Sequence, residues 1–314
     1  MHEALTVISY LAGFRKVDVM GITSTLAFAV TTAVLYGVVD VHAAWPRPAI
    51  GMGWQWELTL DAVPDVTTPN VPVWDVDPEQ LDSTDITTLM NDLHANDRYI
   101  ICYVNVGSLD TTASDAARFK AVKPTIIGNA YPGWPGEYFL DTRRNETRSL
   151  IKARFQRMAS YGCHAIEPDN LDAYTYDTFP AGKTDLTLND ALDYLNWIST
   201  TVHGLGMAVG LKNSADLITP YNLVPKFDFA IVESCAEFPG DCAKYGPFIQ
   251  AGKPVFAAEY TDIGSGGCSL ASSVASACSV TNAANFEGII KSCDLGSEYQ
   301  ACQTYDNNGY RTAP

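Results

Sequence analysis

The 314-residue sequence predicts an α/β fold, a single (β/α)8 TIM barrel behind an N-terminal transmembrane or signal helix. Three observations carry this. Short runs apolar on both faces, such as Tyr99-Ile100-Ile101-Cys102-Tyr103-Val104, alternate with amphipathic stretches, as buried parallel strands and their covering helices require. Eight such units fit in the length that one barrel of roughly 250 residues occupies. Ahead of them, Val19 to Val39 contains no charged residue and, as a helix, would span a bilayer core of roughly 30 Å.

From the N-terminus, residues 1–18 read as a cytoplasmic tail or n-region and 19–39 as the apolar segment. Arg15 and Lys16 precede it and place the positive flank on the cytoplasmic side. Two readings stand: a type II membrane anchor, or a signal peptide cut after Ala43 in Val41-His42-Ala43. The run exceeds a usual signal core of about 7–15 residues, which favours the anchor. Either way the remainder is exported, to the cell surface or beyond. Residues 40–50, with Trp45-Pro46-Arg47-Pro48, read as a linker, and 51–314 as one domain without repeats or a second linker.

Strands are expected at Trp54–Leu58, Val73–Val76, Tyr99–Val106, Ala165–Glu167, Ala208–Leu211, Phe229–Val232, Pro254–Ala258 and Gly288–Lys291. Helical patterns cover Ser83–Asn96, Thr147–Tyr161, Leu188–Leu205, Cys242–Ala251 and the Ser/Ala-rich stretch Leu270–Asn285. Gly162, Gly206 and Gly252 stand where C-terminal glycines belong, and Asp216 is a candidate cap after the fifth strand. A doubly wound open sheet is the competing architecture. Three long connections, Asp110–Leu140, Asn170–Thr187 and Ser234–Asp241, each follow a strand and in a barrel lie on the C-terminal rim, where active sites form.

All eight cysteines follow the apolar segment, an even number that suggests disulfides in an exported chain. Close spacing favours Cys235–Cys242, Cys268–Cys278 and Cys293–Cys302, while Cys102 and Cys163 are either buried thiols or a fourth bridge. No Cys-x-x-Cys pair or zinc-like histidine spacing occurs, so neither metal nor cofactor is expected. Without residues 1–44 the chain keeps 33 acids and 18 bases, net −15. Such a surface repels nucleic acid and attracts a cationic ligand. A serine-hydrolase elbow is absent, and Gly204-Leu205-Gly206-Met207-Ala208-Val209-Gly210 runs from helix into strand, the wrong order for a dinucleotide loop.

Polar residues gather where strands end. Proline cannot donate to a ladder, so Pro168 should terminate the fourth strand and leave Asp169 and Asn170 on the rim, with Glu167 facing the same way as Asp169. The other ends add Asp77, Tyr103, Lys212, Asn213, Glu233, Glu259 and Tyr260. Singly each is commonplace, and a salt-bridged rim explains any one of them. Converging carboxylates suit glycosidic cleavage, which needs an acid for the leaving oxygen and a base or nucleophile. Crowding pushes their pKa values apart. Trp134, Tyr174 and Tyr176 in the rim connections are either sugar-stacking or loop-anchoring aromatics.

Trp54-Gln55-Trp56, Asp75-Val76-Asp77, Ile101 to Ser108, Gly133-Trp134-Pro135-Gly136-Glu137, Gly162-Cys163, Glu167-Pro168-Asp169-Asn170-Leu171-Asp172, Gly210-Leu211-Lys212-Asn213 and Gly252 to Phe256 together resemble glycoside hydrolase family 114, over about residues 50–295. These are endo-α-1,4-polygalactosaminidases. The resemblance implies a (β/α)8 barrel cleaving α-1,4-linked galactosamine in exopolysaccharide. It points to Asp169 and Glu233 as the catalytic pair, with Asp169 as nucleophile and Glu233 as acid/base by analogy with retaining barrels. Asp77, Tyr103, Trp134, Glu167, Asn170, Asp172, Lys212, Asn213, Glu259 and Tyr260 become substrate-binding candidates. A monomer without cofactor is implied, acting on a partly deacetylated, cationic polymer. Neutral galactosides, or a non-catalytic carbohydrate-binding barrel at the cell surface, are the alternatives.

Overall fold

The computed structural model describes residues 45–260 and 273–312. The expected tail at 1–18, the apolar segment 19–39, residues 40–44 of the linker and Cys268 lie outside the described residues. Among the described residues no helix is long and apolar enough to cross a membrane.

In chain order the elements are β1 (Trp54–Glu57), β2 (Val73–Val76), α1 (Ser83–Ala95), β3 (Tyr99–Asn105), β4 (Ser108–Asp110), α2 (Ala116–Lys120), β5 (Ile127–Ala130) and β6 (Glu137–Leu140). They continue with α3 (Asn145–Tyr161), β7 (Ala165–Asp169), α4 (Leu188–His203), β8 (Ala208–Lys212), β9 (Phe229–Glu233), α5 (Gly246–Gln250), β10 (Val255–Tyr260), α6 (Val274–Ala283), β11 (Glu287–Lys291) and β12 (Gln300–Ala301). Eight strands form one curled parallel sheet in the order β1-β2-β3-β7-β8-β9-β10-β11, with β12 antiparallel on β11. The order never reverses, so there is no topological switch point and the doubly wound alternative is excluded. The first and last parallel strands meet through side chains: Trp54 Nε1 donates to Glu287 O (2.7 Å) and Lys291 Nζ to Gln55 Oε1 (3.1 Å).

Local chemistry accounts for the helices. Asp82 caps α1 by accepting from the Thr84 and Asp85 amides, and Thr187 with Asp190 closes a capping box on α4. Gly162 ends α3 in the left-handed conformation (φ 93°). Not every strand has a full helix after it. The β8–β9 connection holds only a 3-10 turn, Ala215–Leu217, which Ser214 precedes without a side-chain capping bond, and Asp216 is not a cap but pairs with Lys244 at 2.8 Å. The Asp110–Leu140 connection is not a plain loop but carries α2's neighbour, a small antiparallel sheet ordered β4-β6-β5.

Two further expectations are corrected. Pro168 does not end its strand; β7 runs on through Asp169. Asp169 O accepts from the Val106 and Gly107 amides on the β3 side, which turns the proline nitrogen toward β8, where pairing stops at Ile166 and Val209. The missing donor therefore costs no ladder bond. Among the disulfides, Cys235–Cys242 forms and Cys102 joins Cys163, but Cys278 pairs with Cys302 across 24 residues, not with Cys268. Nor does Cys302 take Cys293, which is itself disulfide-bonded. The cause is β12, which folds back along β11 and hangs Cys302 from Gly288 O (2.9 Å) beside α6.

Residues 45–50, expected as linker, lie against the N-terminal ends of the strands. Trp45 stacks on His203 (ring centroids 3.8 Å apart), Arg47 pairs with Asp228 at 2.8 Å, and Tyr99 donates to Pro46 O (2.8 Å).

Candidate active site

The inside of the curl alternates with the outside, and the inward positions change character along each strand. At the N-terminal end they are apolar: Trp54, Val73, Ile101, Ala165, Ala208, Phe229, Ile231, Phe256, Ala258 and Ile289 form one buried cluster. Large side chains there contribute about 1.5–3 kcal/mol each on burial. Gly210 belongs to this layer; a Cβ on it would sit 2.5 Å from the Phe229 ring. At the C-terminal end the inward positions turn polar, and Asp75, Tyr103, Glu167, Asp169, Lys212, Glu233 and Tyr260 converge.

Lys212 is the hub. Its Nζ lies 2.7 Å from Glu167 Oε1, 3.1 Å from Asp169 Oδ1 and 3.4 Å from Glu233 Oε2, and 4.8 Å above the Trp56 ring. Burial works against its charge, but Asp169, Glu167 and Glu233 outweigh it and hold the ammonium well above its ordinary pKa. Glu167 is fully buried and also accepts from Trp56 Nε1 (3.0 Å); burial raises its pKa against the pull of Lys212. Asp169 and Glu233 keep 20 and 30% of their side-chain surface, so they are the carboxylates of this cluster that meet solvent.

Each exposed carboxylate is held by a tyrosine. Tyr103 Oη donates to Asp169 Oδ2 (3.0 Å) and Tyr260 Oη to Glu233 Oε1 (2.5 Å). Burial, then the neighbouring carboxylates, push both phenols well above their usual range, so they remain donors. Asn213 fixes Glu233 twice, donating to Oε2 and accepting from its amide, both at 3.1 Å. The residue after each of these strands is left-handed: Asn170 (φ 61°), Asn213 (φ 49°) with Ser214 (φ 63°), and Ser234 (φ 54°). Such backbone is tolerated best by Asn and short polar residues, and it turns the chain off the sheet just beyond the carboxylates.

The remaining candidates divide. Asn170 bonds Ser108 Oγ (3.1 Å) beside Asp169, and Asp172 accepts from Tyr131 Oη (3.1 Å), its pKa raised by burial. Trp134 is 61% exposed on the rim. Tyr176, in contrast, packs on Tyr131 and Phe139 and anchors its loop. Two residues are not brought into the cluster. Asp77 caps the 3-10 turn Pro78–Gln80, accepting from Glu79 N (3.0 Å) and Gln80 Nε2 (2.8 Å). Glu259 occupies the outward position between the inward-facing Ala258 and Tyr260; it is buried beneath the Ser234–Asp241 loop, where it accepts from Ala236 N (3.0 Å). Burial raises its carboxyl to about 7. Cys235 and Cys242 lie close to it, but joined in a disulfide they offer no thiolate for a metal.

Residues beyond the sequence candidates also build the site. Trp56 and Asp75 face inward, and Glu137 Oε2 accepts from Asn105 Nδ2 (3.0 Å) and Ser108 Oγ, tying the small antiparallel sheet to the end of β3. An acid embedded in a strand, as Asp75 is, was the available signal.

The matches to known proteins agree with this geometry. Residues 38–306 match the model of glycoside-hydrolase family GH114. The structure is similar to that of Aspergillus fumigatus Ega3 in complex with galactosamine, at 30% identity and TM-score 0.71, over 82% of this chain and 98% of that one. It also shares its fold with the glycoside hydrolase domain of PelA from Pseudomonas aeruginosa, at 12% identity and TM-score 0.55, over 81% of this chain and 99% of that one. A comparison with curated proteins finds no match. With the family model spanning most of the sequence and two solvent-facing carboxylates where the parallel strands end, this chain belongs to glycoside-hydrolase family GH114.

Proposed function

We propose that this enzyme hydrolyses α-1,4-linked galactosamine within a partly deacetylated exopolysaccharide, with Asp169 as nucleophile and Glu233 as acid/base. The carrying observation is that the two solvent-reaching carboxylates share one buried ammonium, Lys212. Those two contacts laid end to end reach only the lower edge of the roughly 6.5–9.5 Å separation that inversion through a water requires, which supports retention through a covalent intermediate. Tyr103, Tyr260 and Asn213 hold the pair, Asn170 and Asp172 line the rim beside it, and exposed Trp134 offers a sugar-stacking face. The galactosamine bound to the similar Ega3 supports the substrate class. The curled sheet reads as a (β/α)8 barrel closed between β1 and β11, acting as an exported monomer. Its disulfides support export.

The test is mass spectrometry of products from defined α-1,4-galactosamine oligomers, with Asp169→Asn and Glu233→Gln as controls. Internal cuts by the wild type alone are expected. Release of sugar only from neutral α-galactosides, or intact oligomers that nevertheless bind, would replace this reading with one of the alternatives.

A further inference from the structure

Beneath the two exposed carboxylates lies a third layer that the reaction as described does not use. Asp75 is fully buried, and among the described residues it is the carboxyl whose two oxygens are both shut from water without a donor. It stands on the inward side of β2, beside Trp56 on β1 and Ile101 on β3. The groups acting on it are Glu167 on β7, Lys212 on β8 and Asp77 on its own chain segment. Glu167 is within hydrogen-bonding reach, but two carboxylates can form that bond only with a proton between them. Glu167 already spends its charge elsewhere, accepting from Lys212 through Oε1 and from Trp56 through Oε2. The proton therefore belongs to Asp75.

We propose that Asp75 is a positioning residue that stays neutral and donates a hydrogen bond to Glu167, which leaves Lys212 shared with Asp169 and Glu233. An ionised Asp75 would be a bare buried charge beside another anion, which burial in a low-dielectric interior strongly disfavours. Burial and the Glu167 charge push its carboxyl well up, consistent with this geometry. The bond disperses the charge on Glu167, so Lys212 is not captured by that one partner. Without it the ammonium moves toward Glu167, and its hold on Asp169 weakens. The inference rests on Asp169 as the working carboxylate only for its effect on rate; the proton on Asp75 stands apart from that reading.

Two measurements test it. Infrared difference spectra of wild type against Asp75→Asn, near neutral pH in D2O, should show a carboxylic-acid C=O band lost in the variant; loss of carboxylate bands instead overturns the proposal. In kinetics, Asp75→Asn keeps a donor without charge, so it should retain far more kcat than Asp75→Leu and leave the acid limb of the pH profile in place. Asp75→Leu removes the donor and should lower kcat by at least about tenfold, with KM less affected and the acid limb moved to higher pH. An acid limb that moves down in Asp75→Asn, or an Asp75→Leu enzyme equal to wild type, overturns the role. If Asp75→Leu does not fold, the infrared band and the Asp75→Asn profile still decide. If the enzyme proves inactive on galactosamine chains, the proposed function fails while the infrared result stands.

Discussion

At the scale of single residues, the site is a charge balance of one buried cation against three carboxylates. Asp169→Asn and Glu233→Gln should each lower kcat by at least 10²–10⁴-fold, roughly, without loss of fold, because both side chains meet solvent at the rim. Activity assays with circular dichroism check this, and NMR of the first product should show the α-anomer. A nearly active Glu233→Gln would remove Glu233 from the chemistry. Lys212→Met is expected to behave differently, since it strands three carboxylates around an apolar group. It should destabilise by about 3–5 kcal/mol near neutral pH. The loss should shrink in acid as Glu167, whose pKa burial already raises, gains its proton, which urea titrations across pH would reveal.

At the scale of elements, the Ser234–Asp241 loop is pinned from below by Glu259, whose carboxyl takes the Ala236 amide. Burial raises this group from 4.5 to about 7, so its contribution to stability is fully present below pH 4.5 and is lost as pH rises through 7. Glu259→Gln should flatten thermal stability between those limits; a wild-type-like slope would mean the carboxyl does not titrate there. The close approach of the β3 and β7 ends depends on Gly107. A Cβ there would stand 1.7 Å from Asn170 O, so Gly107→Ala should shift Asp169 and lower kcat, with a loss of Tm. The bridge from Cys102 on β3 to Cys163 ahead of β7 braces the same pair of strands. Replacing both cysteines by Ala should cost about 2–5 kcal/mol in urea unfolding.

At the scale of the whole molecule, acids outnumber bases by 16 over the full sequence, while inside the site Lys212 is shared by three carboxylates. A cationic polymer is steered by such a field, and exposed charges are screened beyond about 8 Å at physiological ionic strength. The kcat/KM for deacetylated chains should therefore fall as salt rises, and fully N-acetylated chains should show a smaller salt effect. Equal salt dependence for the two substrates would remove this role for the charge.

What the sequence determined by itself was the string of buried strands and the acids at their ends. Tyr99 to Asn105 or Phe229 to Glu233 is too apolar on both faces for anything but a covered parallel strand, and the second closes at once on a carboxylate. Asp169, Glu233 and Lys212 were legible for that reason. The same property hid the rest. Where both faces of a strand are buried, alternation gives no sign of which neighbour looks inward, so only the curl of the sheet chose Tyr260 over Glu259 and set Asp75 under Glu167. Pairing of Cys278 with Cys302 likewise followed from the antiparallel return of β12, not from spacing. Chain connectivity and local pattern fix where a strand ends; the direction of a side chain at that end is fixed by register and curvature, which arise only when all eight strands pack together.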